Sequence, residues 1–294
     1  MKEKTIYALG FFDGVHLGHQ ALLKTCLRLA ESMGAKPCAI TFDRHPQTMF
    51  VKNPPPLVNS LETRIHLLRQ YGMEEVLVYP VTKEVMSTPW EKFLNELVSL
   101  GAAGFVCGSD YRFGCRGEGT AEKLKNYCVA RGLCCSVVGD RMLDGVRVSS
   151  SHIRGLLEAG DMENANRFLG HPHILTGKVV SGRQLGRTIG VPTANLQLPE
   201  HTVALPHGVY ACKVQVEQRE YLAVTNIGCR PTVGGHRVTV EPWLLDFDGM
   251  LYEKELILKF HAFLRPEKRF DSLEELKAEI QKNALQTRKI FEKT

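Results

Sequence analysis

The sequence predicts an α/β chain in two halves, a parallel sheet covered by helices on both faces and then an all-β unit of barrel or sandwich type. Two observations carry this. Up to about residue 138, short apolar runs alternate with amphipathic helical stretches, the pattern of parallel strands joined by crossover helices. From Thr176 to about Phe260 the helical period is lost, and short strands follow one another across turn residues. With 294 residues, 44% hydrophobic and 23% charged, each half is long enough to bury its own core.

Taken in order, residues 4–10 form an apolar strand that ends in glycine, and a helix follows over 17–33. Strands are expected at 37–42, 76–80, 104–108 and 134–138, with helices at 61–71, 89–100 and 120–131 between them. Two short helices over 151–157 and 162–169 precede a break at Gly170, His171 and Pro172, and the domain boundary is placed there, giving domains 1–172 and 173–294. The last amphipathic stretch, 272–291, starts on Ser272 as N-cap with Glu274 and Glu275 in its first turn.

The net charge of +5 suits anionic ligands. The basic residues are dispersed and no nucleic-acid-reading motif is present, so small anions are expected rather than nucleic acid. No run approaches the roughly 18 apolar residues of a membrane helix, and the N-terminal apolar run is too short for a signal peptide, so a soluble cytoplasmic protein is expected. The nine cysteines include no CxxC pair and read as reduced, mostly buried small hydrophobes.

The strongest local signal is Gly10-Phe11-Phe12-Asp13-Gly14-Val15-His16-Leu17-Gly18-His19, directly after the first strand. Its glycines let the backbone turn tightly against a ligand, and the following helix start offers free amides and a positive dipole end to a phosphate. His16 and His19 fall on one side of the first helical turn, where two imidazoles can donate hydrogen bonds to a phosphate gaining charge. A metal pair is the competing reading, but no third ligand is evident nearby. Ser150 and Ser151 stand at a helix start, where hydroxyls and amides bind anions or simply cap the helix, and Arg154 adds a bidentate phosphate contact. In the second half, Thr193 and Asn195 offer neutral oxygens suited to a Mg²⁺ that already carries phosphates, although a Pro-Thr turn with an Asn cap has the same sequence. No GxxxxGK[ST] loop occurs.

These residues resemble the HxGH nucleotidyltransferase superfamily and, more narrowly, the bacterial bifunctional riboflavin kinase/FAD synthetases. The supporting segments are Thr41-Phe42-Asp43-Arg44-His45-Pro46, Gly108-Ser109-Asp110-Tyr111-Arg112-Phe113-Gly114, Ser149-Ser150-Ser151-His152-Ile153-Arg154 just after Arg147, and Gly190-Val191-Pro192-Thr193-Ala194-Asn195. The resemblance covers nearly the whole chain and implies a Rossmann-like nucleotidyltransferase domain, then a small antiparallel β-barrel kinase domain with a C-terminal helix.

It also implies the substrates ATP, riboflavin and FMN, with Mg²⁺ accompanying ATP and with FMN and FAD as substrate and product rather than prosthetic groups. His16 and His19 would serve adenylyl transfer, with Gly10, Phe11, Asp13, Gly14, Gly18, Asp110, Arg147, Ser150, Ser151 and Arg154 around the nucleotide. Phe113 and Arg265 fall on flavin-side loops, Gly182 and Arg187 on a flap over the ATP phosphates, and Thr193 and Asn195 on the metal. Glu241 would accept the riboflavin 5′-hydroxyl proton. Where the family commonly has threonine, this chain has Ser151; where it commonly has histidine, Trp243, a position read as peripheral. Rival readings are another HxGH-class transferase with an unrelated accessory domain, and a flavin-binding regulator without catalysis.

Overall fold

The structure, a computed structural model, describes residues 3–180, 190–197, 199, 201–232 and 235–292. Gly182 and Arg187 lie outside the described residues. The chain divides into two compact units, Met1–Leu57 with Leu61–Ser150, and Val58–Ser60 with Ser151–Thr294.

In the first unit the strands β1 (Thr5–Leu9), β2 (Lys36–Phe42), β3 (Glu75–Tyr79), β4 (Ala102–Gly108) and β7 (Cys134–Val138) form one parallel sheet in the order β3-β2-β1-β4-β7. Two hairpins, β5 (Arg112–Phe113) with β6 (Gly119–Thr120) and β8 (Met142–Leu143) with β9 (Val146–Arg147), flank β7 in sequence. The helices are α1 (Leu17–Met33), α2 (Leu61–Gln70), α3 (Lys83–Met86), α4 (Trp90–Ser99) and α5 (Ala121–Arg131). α1 ends on Gly34, whose φ of 55° is the left-handed conformation that glycine adopts without penalty. α5 starts on the Thr120 hydroxyl, which accepts the Lys123 N–H at 3.2 Å. Tyr7, Leu9, Ile40, Leu94, Leu97 and Phe105 lie in the core on one side of the sheet. Strand order reverses at β1, so the loops after β1 and β4 diverge and leave a crevice at the carboxyl edge, where open parallel sheets bind ligands. The hairpins and α3 have no counterpart in the sequence reading, because two to four residues are too few to show a period.

The second unit takes α6 (Ser150–Glu158) from its second residue onward, α7 (Met162–Leu169) and a closed barrel. The barrel strands are β10 (His173–Val180), β11 (Asn195–Gln197), β12 (Gly208–Val216), β13 (Arg219–Thr232), β14 (Gly235–Leu244) and β15 (Glu255–Pro266). Their antiparallel order β10-β11-β14-β13-β12-β15 closes by pairing β10 with β15, which decides for a barrel over a sandwich. Gly208 lets β12 run close against β15, since a Cβ there would stand 2.4 Å from the Arg265 carbonyl oxygen. α8 (Leu273–Glu292) packs on β12 and β13 through Ala284 and Thr287, and Ser272 caps it, its hydroxyl accepting the Glu275 N–H at 3.2 Å. All nine cysteines are unpaired, with Cys26, Cys38 and Cys212 buried.

His173 in β10 is fully buried, and neither ring nitrogen has a hydrogen-bond partner among the described residues. Burial, with His171 nearby, pushes its pKa down to about 3. The neutral ring is therefore the folded form, while an unfolded histidine titrates near ~6.5. Its stabilising effect is complete above that pH and is lost as pH falls toward 3. Between pH 7 and 4.5 the wild-type protein should lose about 2 to 3 kcal/mol more stability than His173→Leu in denaturant titrations. Equal losses would refute this account of His173.

Candidate active sites

The loop leaving β1 is shaped by side chains that bond its backbone. Phe12 (φ 59°), Gly14 (φ 81°) and Val15 (φ 40°) all take positive φ, and Val15 is β-branched, so the backbone here is strained. At Gly10 a Cβ would come within 2.9 Å of the Phe12 ring. The Thr41 hydroxyl donates to the Phe11 carbonyl at 2.7 Å, Gln20 Nε2 to the Val15 carbonyl at 2.9 Å, and the Ser150 hydroxyl to the Asp13 carbonyl at 2.9 Å. The loop thus reaches both the end of β2 and the first residue of α6, two segments that sequence motifs had singled out.

His16 is the N-cap of α1, its Nδ1 accepting the His19 N–H at 3.3 Å. An accepting Nδ1 puts the proton of the neutral ring on Nε2, which makes Nε2–H a donor. The two imidazoles stack, with centroids 3.7 Å apart and planes at 13°. Burial, then the neighbouring His16 and Arg64, hold the His19 pKa well below its usual 6.5, so that ring is neutral at pH 7. Its Nδ1 has no hydrogen-bond partner among the described residues. Gly18 keeps the space beside His16 open, as a Cβ there would lie 3.2 Å from the ring.

After β4, Asp110 and Arg147 meet in an ion pair although they are 37 residues apart, and Arg147 Nη2 also contacts Asp140 Oδ1 at 3.0 Å. Asp140 was not found from sequence, because a lone acid between short strands carries no pattern. Beside this cluster lies a cavity of about 600 Å³ walled by Phe42, Tyr79, Phe93, Tyr111 and Phe113. Tyr111 and Phe113 stack at 5.7 Å, which gives the cavity a flat aromatic wall suited to a fused ring. In the second unit, Ser151 and Arg154 sit one turn apart on α6, with Arg154 Nη2 3.5 Å from the Ser151 hydroxyl.

The barrel carries two cavities that share Thr193. One, of about 340 Å³, is lined by Val179, Pro192, Thr193, Asn195, Phe247 and Tyr252. The other, of about 710 Å³, is lined by Thr193, Asn226, Glu241, Trp243, Arg265 and Phe270, among others. The 192–195 segment is fixed to the strand that carries Glu241 by a bond from Ala194 N–H to the Pro242 carbonyl at 3.0 Å. Glu241 faces Asn226 across the β13–β14 ladder. Trp243 is not peripheral: two residues further along β14, it shares the face of Glu241 and lines the same cavity. Arg265 Nε donates to Asn283 Oδ1 of α8 at 3.2 Å, which anchors the end of β15 to that helix. Asn283, buried on the helix, was also missed; a polar residue on an apolar helical stripe is its only signal.

An HxGH loop at the switch point of a parallel sheet, joined in one chain to a closed barrel with neutral-oxygen and carboxylate groups on a shared cavity wall, defines a phosphate-group and nucleotidyl transferase of two catalytic domains. A sequence model of the FAD synthetase family matches residues 1–152, and one of the riboflavin kinase family matches residues 169–291. The chain belongs to the bifunctional riboflavin kinase/FMN adenylyltransferases. The protein so described from Pseudomonas fluorescens is 36% identical over 278 residues, 94% of this chain and 89% of its own. That from Listeria monocytogenes is 34% identical over 292 residues, 98% of this chain and 93% of its own. A crystal structure from Streptococcus pneumoniae, described as a macrolide-efflux protein, superposes with a TM-score of 0.86 at 28% identity, covering 98% of this chain and 95% of that one. Among the described residues no helix is long and apolar enough to cross a membrane. The chain phosphorylates riboflavin to FMN and adenylylates FMN to FAD. The kinase match removes the reading of an unrelated accessory domain.

Proposed function

We propose that residues 1–172 carry adenylyl transfer and residues 173–294 riboflavin phosphorylation, in the cytoplasm, with ATP as the second substrate of both. In the first reaction the FMN phosphate oxygen attacks the α-phosphorus of ATP, and the bond to the departing pyrophosphate breaks. The acceptor is already anionic, so no protein nucleophile or base is required, and rate comes from positioning and charge stabilisation. His16 Nε2–H and the neutral His19 ring serve as donors to the phosphate oxygens, and the amides around Gly10, Phe11, Asp13, Gly14 and Gly18 cradle the triphosphate. Ser150, Ser151 and Arg154 add contacts to the phosphates, Asp110 and Arg147 lie toward the adenosine, and Phe113 forms part of the flavin wall.

In the second reaction Glu241 takes the proton of the riboflavin 5′-hydroxyl as that oxygen attacks the γ-phosphorus, with ADP leaving. The observation that carries this is Thr193, common to the wall of the Glu241 cavity and of its neighbour, where donor and acceptor would meet. Thr193 and Asn195 suit Mg²⁺ because they line one cavity with neutral oxygens and leave room for phosphate ligands. When bound with ATP, Mg²⁺ would offset charge on the β- and γ-phosphates. Gly182 and Arg187 are assigned to the flap over the ATP phosphates, and Arg265 to the flavin side.

Purified protein incubated with riboflavin, ATP and Mg²⁺ should yield FMN first and FAD with pyrophosphate later, as resolved by chromatography. Chelating Mg²⁺ with excess EDTA should stop both steps. FMN formation continuing at its full rate under EDTA would remove the metal role assigned to Thr193 and Asn195.

A further inference from the structure

Arg64 is a fully buried guanidinium that the steps above do not use. It sits on the buried face of α2 with Thr63, Leu67 and Leu68, where an apolar side chain is the ordinary occupant. Its Nη1 donates to the Phe11 carbonyl at 3.0 Å and to the Thr41 hydroxyl at 3.2 Å, while that hydroxyl itself donates to the same carbonyl. The three groups close a triangle on one peptide of the nucleotide loop. The guanidinium carbon also lies 4.3 Å from the centre of the Phe11 ring, so the residue is held by its side chain as well as by its carbonyl.

We propose that Arg64 is a positioning residue for adenylyl transfer, which locks the strained loop between β1 and α1 by clamping Phe11 from inside the unit. Positive φ at Phe12 and Val15 persists only where the surroundings over-determine it, and Phe11 is the residue that enters this turn. The bonds from Gln20 and Ser150 act further along the loop, on Val15 and Asp13. A purely structural Arg is a poor choice for this position. Burying a guanidinium is costly, and Nε and Nη2 have no hydrogen-bond partner among the described residues. Burial lowers its pKa to about 10 against the opposing pull of Asp13, Asp43 and Glu62, which leaves the group charged at pH 7. That charge also opposes protonation of His19, and so favours the neutral donor.

The inference rests on the assignment of residues 10–19 to ATP, and the test separates the two. Full-length Arg64→Met and Arg64→Lys are assayed for both reactions. Arg64→Met should lower kcat for FMN adenylylation by about 30- to 100-fold, with KM for ATP and FMN within ~3-fold of wild type. Arg64→Lys keeps charge and one donor without the fork, and should recover to about 3- to 10-fold below wild type. Riboflavin phosphorylation should keep its rate in both variants. An adenylylation kcat for Arg64→Met at the wild-type level, or a change confined to KM, overturns the proposal. Should Arg64→Met fail to fold and lose both activities, Arg64→Lys decides: reduced kcat with intact riboflavin phosphorylation supports the clamp, and wild-type kcat overturns it. His16→Ala is measured alongside. If it still makes FAD, the ATP assignment itself fails; if it does not, while Arg64→Met stays active, only the role of Arg64 falls.

Discussion

Glu241→Gln should lower kcat for riboflavin phosphorylation by about 10² to 10⁴, the range for removing a general base. Glutamine keeps the shape and one acceptor oxygen, so the cavity and the ladder pairing with Asn226 should survive. What is lost is the ability to take a proton from an alcohol that is almost wholly protonated at pH 7. KM for riboflavin should change little, because ground-state binding is shared with Asn226, Trp243 and Arg265 on the same wall. FMN supplied directly should still be converted to FAD at the wild-type rate. Comparing the two steady-state rates on one preparation checks this, and a parallel fall in both would mean that the reactions are not divided between the halves.

The reciprocal experiment is His16→Ala, expected to lower FAD formation by about 10² to 10³ while leaving FMN formation intact, as befits loss of one preorganised donor. The substitution has a second consequence. His16 is also the N-cap of α1, and loss of a capping acceptor typically costs about 1 kcal/mol. Some fall in Tm is therefore expected without any effect on chemistry. His16→Ser separates the two, since a hydroxyl can accept the His19 N–H but is too short to replace the imidazole. A serine variant with restored Tm and no FAD formation supports the donor role. One with restored Tm and restored FAD formation would show that His16 acts by capping alone.

Much of this was legible in the sequence. α1, α7 and β7 fall where apolar periodicity put them, and the other long elements before the barrel differ by a residue or two at their ends, where period is lost. The HxGH segment was readable because glycine, histidine and strand-to-helix position each leave a local mark. Asp140 and Arg64 left none, and Asn283 left only a polar residue on an apolar helical stripe. Each acts through partners far along the chain, and the identity of a partner is set by folding, not by spacing. Trp243 shows the same limit in a sharper way. Its departure from the family's usual histidine was read as peripheral, while strand alternation brings it onto the face of Glu241.

The sequence by itself determined the two-part architecture, the places of the long helices and strands, and the motifs that carry phosphate chemistry. These depend on local periodicity and on residue types with few alternative uses. Only the tertiary structure decided that the β half closes into a barrel, that Thr193 lines two cavities, and that a buried arginine grips the Phe11 peptide. Closure, shared walls and burial are properties of segments brought together from a distance, and their energies exist only once the intervening chain has folded.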